Sequence, residues 1–288
     1  MAVGLVVLGT LAACGGGGPA GRPAPTDRPG PTATASPGTT PTARPEPGES
    51  AGVVGAVSAY FIRGERVAPV SRPLLAMASP FETAVRAVIA GPGPQERSWG
   101  MTSPVPADTR LLGISTDGDI VTINLSKEFA AGGGSFSMTA RLVQMVFAVT
   151  QFGDQGRVLF RVEGEPVTTF GGEGIVLDHP VARSDFEAWM PPILVETPTA
   201  GATIGRPVLV AGTANTFEAV FQLILVDASG RQLASRTVRA TSGTGTRGRF
   251  AEQIPYSGRG YGELIAFELS PKDGSRLDEI HIPITMAG

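Results

Sequence analysis

The pattern of apolar and polar positions divides the chain into stretches of different character. The opening MAVGLVVLGTLAAC is a run of small and branched, almost wholly apolar residues. It is shorter than the roughly 20 apolar residues that span a bilayer and has the length of the apolar region of a secretory signal. From Gly15 to about Gly52 the chain has no large apolar residue and no periodicity. Such a Pro-, Gly- and Thr-rich stretch cannot bury enough surface to offset the entropy of ordering, and it reads as a disordered tether.

Regular patterning begins near Val53. VSAYFIRG predicts a strand and RVAPVSRPL a second extended piece. SPFETAVRAVIAGPGP predicts a helix, with Ser79 as N-cap, Pro80 at the first helical position and Glu82 completing a capping box. Phe81, Val85 and Val88 share one face, Glu82 can pair with Arg86, and Gly91 and Pro92 supply the stop. TRLLGIST and DIVTINLS flank Asp117 and Gly118, which predict a two-residue type I′ hairpin turn. SFSMTARLVQMVFAVTQF predicts a second helix. Met138, Leu142, Met145 and Val149 form its apolar stripe, widened by Val146, and the stripe reads as core rather than as a cofactor groove. GRVLFRVEGEPV predicts another strand. The order β-β-α-β-β-α-β implies an α+β domain with two helices on one face of a small sheet.

TTFGGEGIVLDHPVARSDFEAWMPP reads as a connector with some packing residues. After Pro192, short strands recur with turn signals between them: PILVETP, PVLVAGTA, EAVFQLILVD, RQLASRTVRA, RFAEQIPY, GELIAFELS and EIHIPITM. About seven strands in roughly 100 residues, with no helix, predict an all-β immunoglobulin-like sandwich. The 288-residue length fits about two domains.

The chemistry of the chain narrows its function. Net charge is −3, and no basic stripe with interleaved aromatics appears, so there is no electrostatic footprint for nucleic acid. The single cysteine, Cys14, admits no internal disulfide. The only histidines, His179 and His281, are too far apart in sequence to suggest a His/Cys zinc set. GESAG, with Ser50 at its centre, fits a nucleophile elbow but ends the tether instead of joining a strand to a helix. GTGTRG at 243–248 fits a dinucleotide fingerprint, yet it lies between strands with no helix behind it and reads as a flexible loop. Asn124 opens a glycosylation sequon. Ile280, Ile282 and Ile284 alternate inward, so His281 faces outward. His179, beside Asp178 and Pro180, reads as an exposed loop residue. Phe217 reads as a core-packing residue, with an interface aromatic as the alternative. No catalytic set, cofactor site or metal site is expected.

Three resemblances add to this reading. Leu11, Ala12 and Ala13 directly before Cys14 resemble the lipobox of bacterial lipoproteins. The resemblance implies cleavage before Cys14, with lipid chains such as palmitate on its sulfur and new amino group. The protein would then sit on the outer face of the cytoplasmic membrane. No Lys or Arg lies between Met1 and Cys14, where the pattern carries a basic segment, so the resemblance also implies basic residues upstream. VIAGPGP, SPVPADTRLLGI, GDIVTINLSKEF, ARLVQMVFAVTQF and RVLFRVEGEPV, in this order, resemble the GerMN domain of spore germination and sporulation lipoproteins. ILVETPTAGATIGRPVLVAGTANTFEAVFQLILVDASG, GRFAEQIPY and SPKDGSRLDEIHIPI resemble the immunoglobulin-like spore germination domain that often follows it.

The expected organisation is a signal peptide at 1–13, a tether at 14–54, a GerMN-like domain at 55–170, a connector at 171–191 and the sandwich at 192–288. The resemblance implies a non-enzymatic, lipid-anchored envelope protein in a sporulation, germination or envelope-signalling context. Its partners would be the membrane, through the anchor, and envelope or septal proteins or copies of itself. The alternative is a module that binds peptidoglycan or glycan. Saccharide sites present aromatic platforms, and the sparse candidates are Trp189 in the connector and Tyr256 and Tyr261 beside a loop.

Overall fold

A computed structural model describes residues 52–153, 156–172 and 174–287. The first element is a long antiparallel hairpin, β1 (Val53–Arg63) and β2 (Arg66–Leu75). It closes at Gly64 and Glu65, whose φ values of 54° and 62° fit a type I′ turn. Helix α1 (Pro80–Ala90) follows, with the Ser79 hydroxyl accepting from the Glu82 amide at 3.3 Å. Only that half of the predicted capping box forms, because the Glu82 carboxylate turns to Arg86 at 3.4 Å. Gly91, at φ 76°, ends the helix as expected. In the short α2 (Pro94–Ser98), Glu96 caps the Gly93 amide and also binds Arg72 of β2 through both carboxylate oxygens.

Strands β3 (Leu111–Asp117) and β4 (Ile120–Leu125) form the predicted second hairpin, but its turn lies one residue later than predicted. Asp117 pairs with Ile120, so Gly118 and Asp119 are the central residues. Only Gly118 has positive φ, which matches type II′ and not type I′. The shift places Asp119 against the next strand, where its carboxylate binds Arg157 at 2.8 Å and its carbonyl accepts the Gly156 amide.

Helix α3 (Ser135–Val149) then crosses to β5 (Arg157–Val162), which runs parallel to β4. The two-residue β6 (Glu165–Pro166) pairs with β5, completing a sheet of order β3-β4-β5-β6. The helices do not simply cover one face of a single sheet. The β1–β2 hairpin stays outside that sheet, and α3 packs against β1, α1 and β5. As a result, residues 140–149 of α3 are all buried and not only the predicted stripe. The polar members of this run are satisfied. Gln144 donates to the Tyr60 carbonyl at 2.8 Å, and Arg141 donates to the carbonyls of Pro104, Phe129, Ala131 and Gly132.

The stretch read as a connector has structure of its own. It holds a small hairpin of β7 (Thr169–Phe170) and β8 (Ile175–Val176), then β9 (Val181–Ala182) paired to β5, then a 3-10 segment at Arg183–Trp189. Phe170, Leu177, Val181, Phe186 and Met190 are buried along it.

All seven strands predicted beyond Pro192 are present. They are β10 (Ile193–Thr197), β12 (Val208–Ala214), β13 (Val220–Asp227), β14 (Gln232–Arg239), β15 (Gly248–Ile254), β16 (Gly260–Leu269) and β17 (Arg276–Met286), with the short β11 (Thr203–Ile204) added. Sheets of order β10-β12-β15 and β11-β17-β16-β13-β14 face each other. Phe221 of one meets Phe250 of the other edge-on at 4.8 Å, among buried Val210, Leu223, Val238, Leu264 and Ile282. Each such buried large side chain contributes about 1.5–3 kcal/mol. Gly212 is required where β12 passes β10, since a Cβ there would lie 2.0 Å from the Leu194 carbonyl oxygen.

Candidate functional site

The densest polar cluster joins the two domains. Arg183, at the start of the 3-10 segment, reaches into the gap between β1, α3 and β10. Its guanidinium donates to Glu196 at 2.7 Å, to the Tyr60 hydroxyl at 3.2 Å, to the Phe147 carbonyl at 3.1 Å and to Thr150 at 2.8 Å. It also lies 4.6 Å from the Phe147 ring centre and 5.4 Å from that of Tyr60. The Tyr60 hydroxyl donates to the same Glu196 carboxylate. Burial pushes the Tyr60 hydroxyl well above its ordinary range; Arg183 opposes this but does not overcome it, so Tyr60 stays a proton donor. Burial works against the Arg183 charge too, yet the Glu196 carboxylate and the hydrogen bonds it and the Tyr60 hydroxyl accept hold the guanidinium above its usual range.

A second arginine pins the same segment from the other side. Arg247 binds both oxygens of Glu187 at 3.0 and 3.1 Å, the Pro191 carbonyl at 2.8 Å and Thr213 at 3.3 Å. Burial lowers its pKa further than Glu187 can restore it. Asn215 adds a bond to Glu187 at 3.1 Å. Elsewhere along the joint Val70 bridges to Ala200, Arg63 donates to the His281 carbonyl at 3.1 Å, and Trp99 abuts Gly201. The described residues belong to one compact unit. These groups hold two domains in a set orientation. These side chains bond to one another or to backbone carbonyls, and Tyr60, Arg183 and Glu196 also line a cleft at the joint.

Several clefts open along the joint: one, of about 1060 Å³, is lined by Tyr60, Thr150, Gln151, Arg183, Glu196 and Arg249, and two more lie beside β17. One, of about 540 Å³, lies between the closed end of the first hairpin and β17, lined by Arg63, Met101, Ile193, Ala200, His281 and Ile282. The other, of about 770 Å³, brings Trp99 and Gln95 of α2 and its flank to Tyr261, Glu263 and Asp227 of the sandwich. Among the described residues, no cluster of three or more His, Cys, Asp or Glu is placed to hold a metal.

The residues singled out in the sequence fall as follows. Cys14 and Ser50 lie outside the described residues. His281 faces outward as expected, between Glu263 at 2.9 Å and Glu279 at 2.7 Å. His179 is exposed and touches only its neighbour Asp178, at 2.7 Å. Asn124 accepts the Gly164 amide at 2.9 Å. Phe217 is 56% exposed, so it is not a core residue. Tyr256 is buried, Trp189 packs on Phe136 at 4.8 Å, and Tyr261 is 78% exposed.

The 243–248 stretch is anchored at both ends, while Thr244, Gly245 and Thr246 are exposed. A Cβ on Gly243 would meet the backbone of Ala219 and Thr216 at 2.5 Å, and one on Gly248 would meet Ser242 at 2.3 Å. The packed end at Gly248 holds Arg247 in the joint. The joint residues themselves escaped the sequence reading. Tyr60, Arg183 and Glu196 are separated by up to 136 positions, and no local pattern links them.

Residues 58–168 match the Germane family, described as sporulation and spore germination. Residues 192–275 match the Gmad2 family, the immunoglobulin-like domain of bacterial spore germination. The two matches follow one another along the chain. The joint described above connects the stretch that matches Germane to the stretch that matches Gmad2, and Arg183 lies between the two matched stretches. Among solved structures, the chain is similar to the first GerMN domain of the Bacillus subtilis sporulation protein GerM. That match has 20% identity and a TM-score of 0.40, over 46% of this chain and 99% of that one. It is also similar to the tandem GerMN domains of the same protein, with 16% identity and a TM-score of 0.40, over 70% of this chain and 61% of that one. No curated protein matches the chain.

Proposed function

We propose that this is a lipid-anchored envelope protein that works without catalysis, by associating with other proteins in a spore germination, sporulation or envelope-signalling setting. Cys14 is the acylated residue, and the stretch behind it is a tether that gives the folded body reach. The observation that carries the reading is the joint. Two partly buried ion pairs, Arg183 with Glu196 and Arg247 with Glu187, tie two domains into one body, which is what a scaffold needs. The family descriptions agree with this setting. No helix among the described residues is long and apolar enough to cross a membrane, so in this reading attachment rests on the lipid.

The test is cross-linking in cells, with the wild-type chain and Cys14→Ala side by side. Discrete protein adducts that vanish when Cys14→Ala releases the chain from the membrane support the proposal. A membrane-bound chain that forms no adduct, with itself or with another envelope protein, overturns it. One observation favours the alternative reading, glycan binding: Trp99 and the exposed Tyr261 share a cleft with Gln95 and Glu263. Sedimentation with purified cell wall that is lost in Tyr261→Ala would favour that reading.

A further inference from the structure

We propose that the open end of the β1–β2 hairpin is a docking tip that inserts shallowly into the lipid bilayer holding Cys14; this rests on the lipid-anchor reading above. Val53 and Val54 are 64% and 66% exposed, Leu75 is 42% exposed, and Met77 is exposed in full at 103%. Val53 faces Leu75 across the hairpin, and the Ala76 amide bonds the Gly52 carbonyl at 2.9 Å, so these residues share one end of the element. Met77 sits at φ 65°, the left-handed region that a bulky side chain avoids. A strained position that displays a large apolar side chain to water is a candidate functional feature. Single exposed apolar residues are ordinary on a protein surface, whereas these four are grouped.

The surroundings select the occupant. No Asp, Glu, Lys or Arg occurs in 52–62 or in 73–81, and Arg72 beside them is held by Glu96. The tip has no aromatic ring and no arginine, the residues that anchor protein interfaces. Four aliphatic side chains also fall far short of the roughly 800 Å² per partner that a stable protein interface buries. Acyl chains ask for neither directional groups nor a large footprint. Position adds the third argument: residues 15–51 lead from Cys14 directly into this end of the hairpin at Gly52. Weak intrinsic affinity is enough, because a tether keeps its cargo at an effective concentration on the order of millimolar.

The test uses the full acylated chain in vesicles of phosphatidylethanolamine and phosphatidylglycerol. With Cys14 blocked by its lipid, Met77→Cys provides one thiol for an environment-sensitive dye. The dye at position 77 should shift to the blue and be quenched by brominated lipid. The same dye at Glu65→Cys, on the closed end of the hairpin, should do neither. Adding Val54→Asp should abolish the quenching at 77 with no change in the melting transition. A chain that floats with vesicles but shows no quenching at 77 overturns the tip alone. Disulfide-linked dimers of Met77→Cys in place of quenching also overturn it and identify a second copy as the occupant. Flotation with an unmodified Cys14 in the mass spectrum overturns the anchor reading, and a chain that does not float overturns both.

Discussion

The two halves of the first hairpin have opposite fates. Toward the closed end, Tyr60, Phe61, Ile62, Val67 and Val70 are buried beneath α1, α3 and the sandwich. Toward the open end, Val53, Val54 and Leu75 lie in water. Both halves are apolar, and they belong to the same two strands. Composition does not separate them; what packs over them does. The covered half also carries polar groups that bond across the joint, while the bare half has none to offer. A surface held by Arg183 and Glu196 becomes an internal face of a two-domain body. A surface without such groups stays exposed to water.

The sharpest way to break the contrast is Arg183→Ala. It leaves Glu196 and the Tyr60 hydroxyl without their cation, and losing one partner of a partly buried charged hydrogen bond costs about 1–3 kcal/mol. Urea denaturation should show a lower midpoint and separate transitions for the two domains; one unshifted transition would count against the joint. Glu96→Gln, which removes the charge that holds Arg72 beside the open half, should cost about 1–2 kcal/mol.

Glu96 also predicts a pH dependence. Burial would raise its pKa, but the Arg72 bonds, the Gly93 amide and Arg97 together hold it below the ordinary value. A lowered folded-state pKa means that its stabilisation is complete above about pH 4.5 and is lost as the pH falls through the folded value. Acid titration of the wild-type midpoint should therefore show a decline below that pH that is shallower in Glu96→Gln. Val54→Asp and Met77→Asp should move stability by no more than about 0.5 kcal/mol, because both sites are exposed. Their effect belongs in the vesicle assay. Phe217→Ser should be the mildest, with an unchanged melt within the same ~0.5 kcal/mol, and a drop in stability there would show that the ring has a covering partner.

Local signals were reliable where the physics is local. Ser79, Pro80 and Gly91 mark the ends of α1 because caps and stops act within a turn of the chain. The sandwich strands were legible from alternation, and His281 was correctly placed outward for the same reason. The Asp117 and Gly118 turn was misplaced by one residue because its register depends on Asp119 meeting Arg157 on β5, a contact with a distant strand. The helix α3 looked one-sided because its other faces carry Arg141 and Gln144, whose partners are carbonyls in other segments. The glycine-rich stretch around Arg247 looked flexible throughout, yet the backbone of 216–219 packs on its first glycine.

By itself the sequence determined the order and type of the elements, the α+β domain ahead of the sandwich, and the setting of Cys14 behind an apolar run. Those properties arise from periodicity, capping and composition, which act over a few residues. Only the tertiary structure decided which apolar surface is covered and which is bare, and which charges become a joint. Burial is a property of pairs of surfaces, and Tyr60, Arg183 and Glu196 acquire a shared role only when the fold brings them within hydrogen-bond reach.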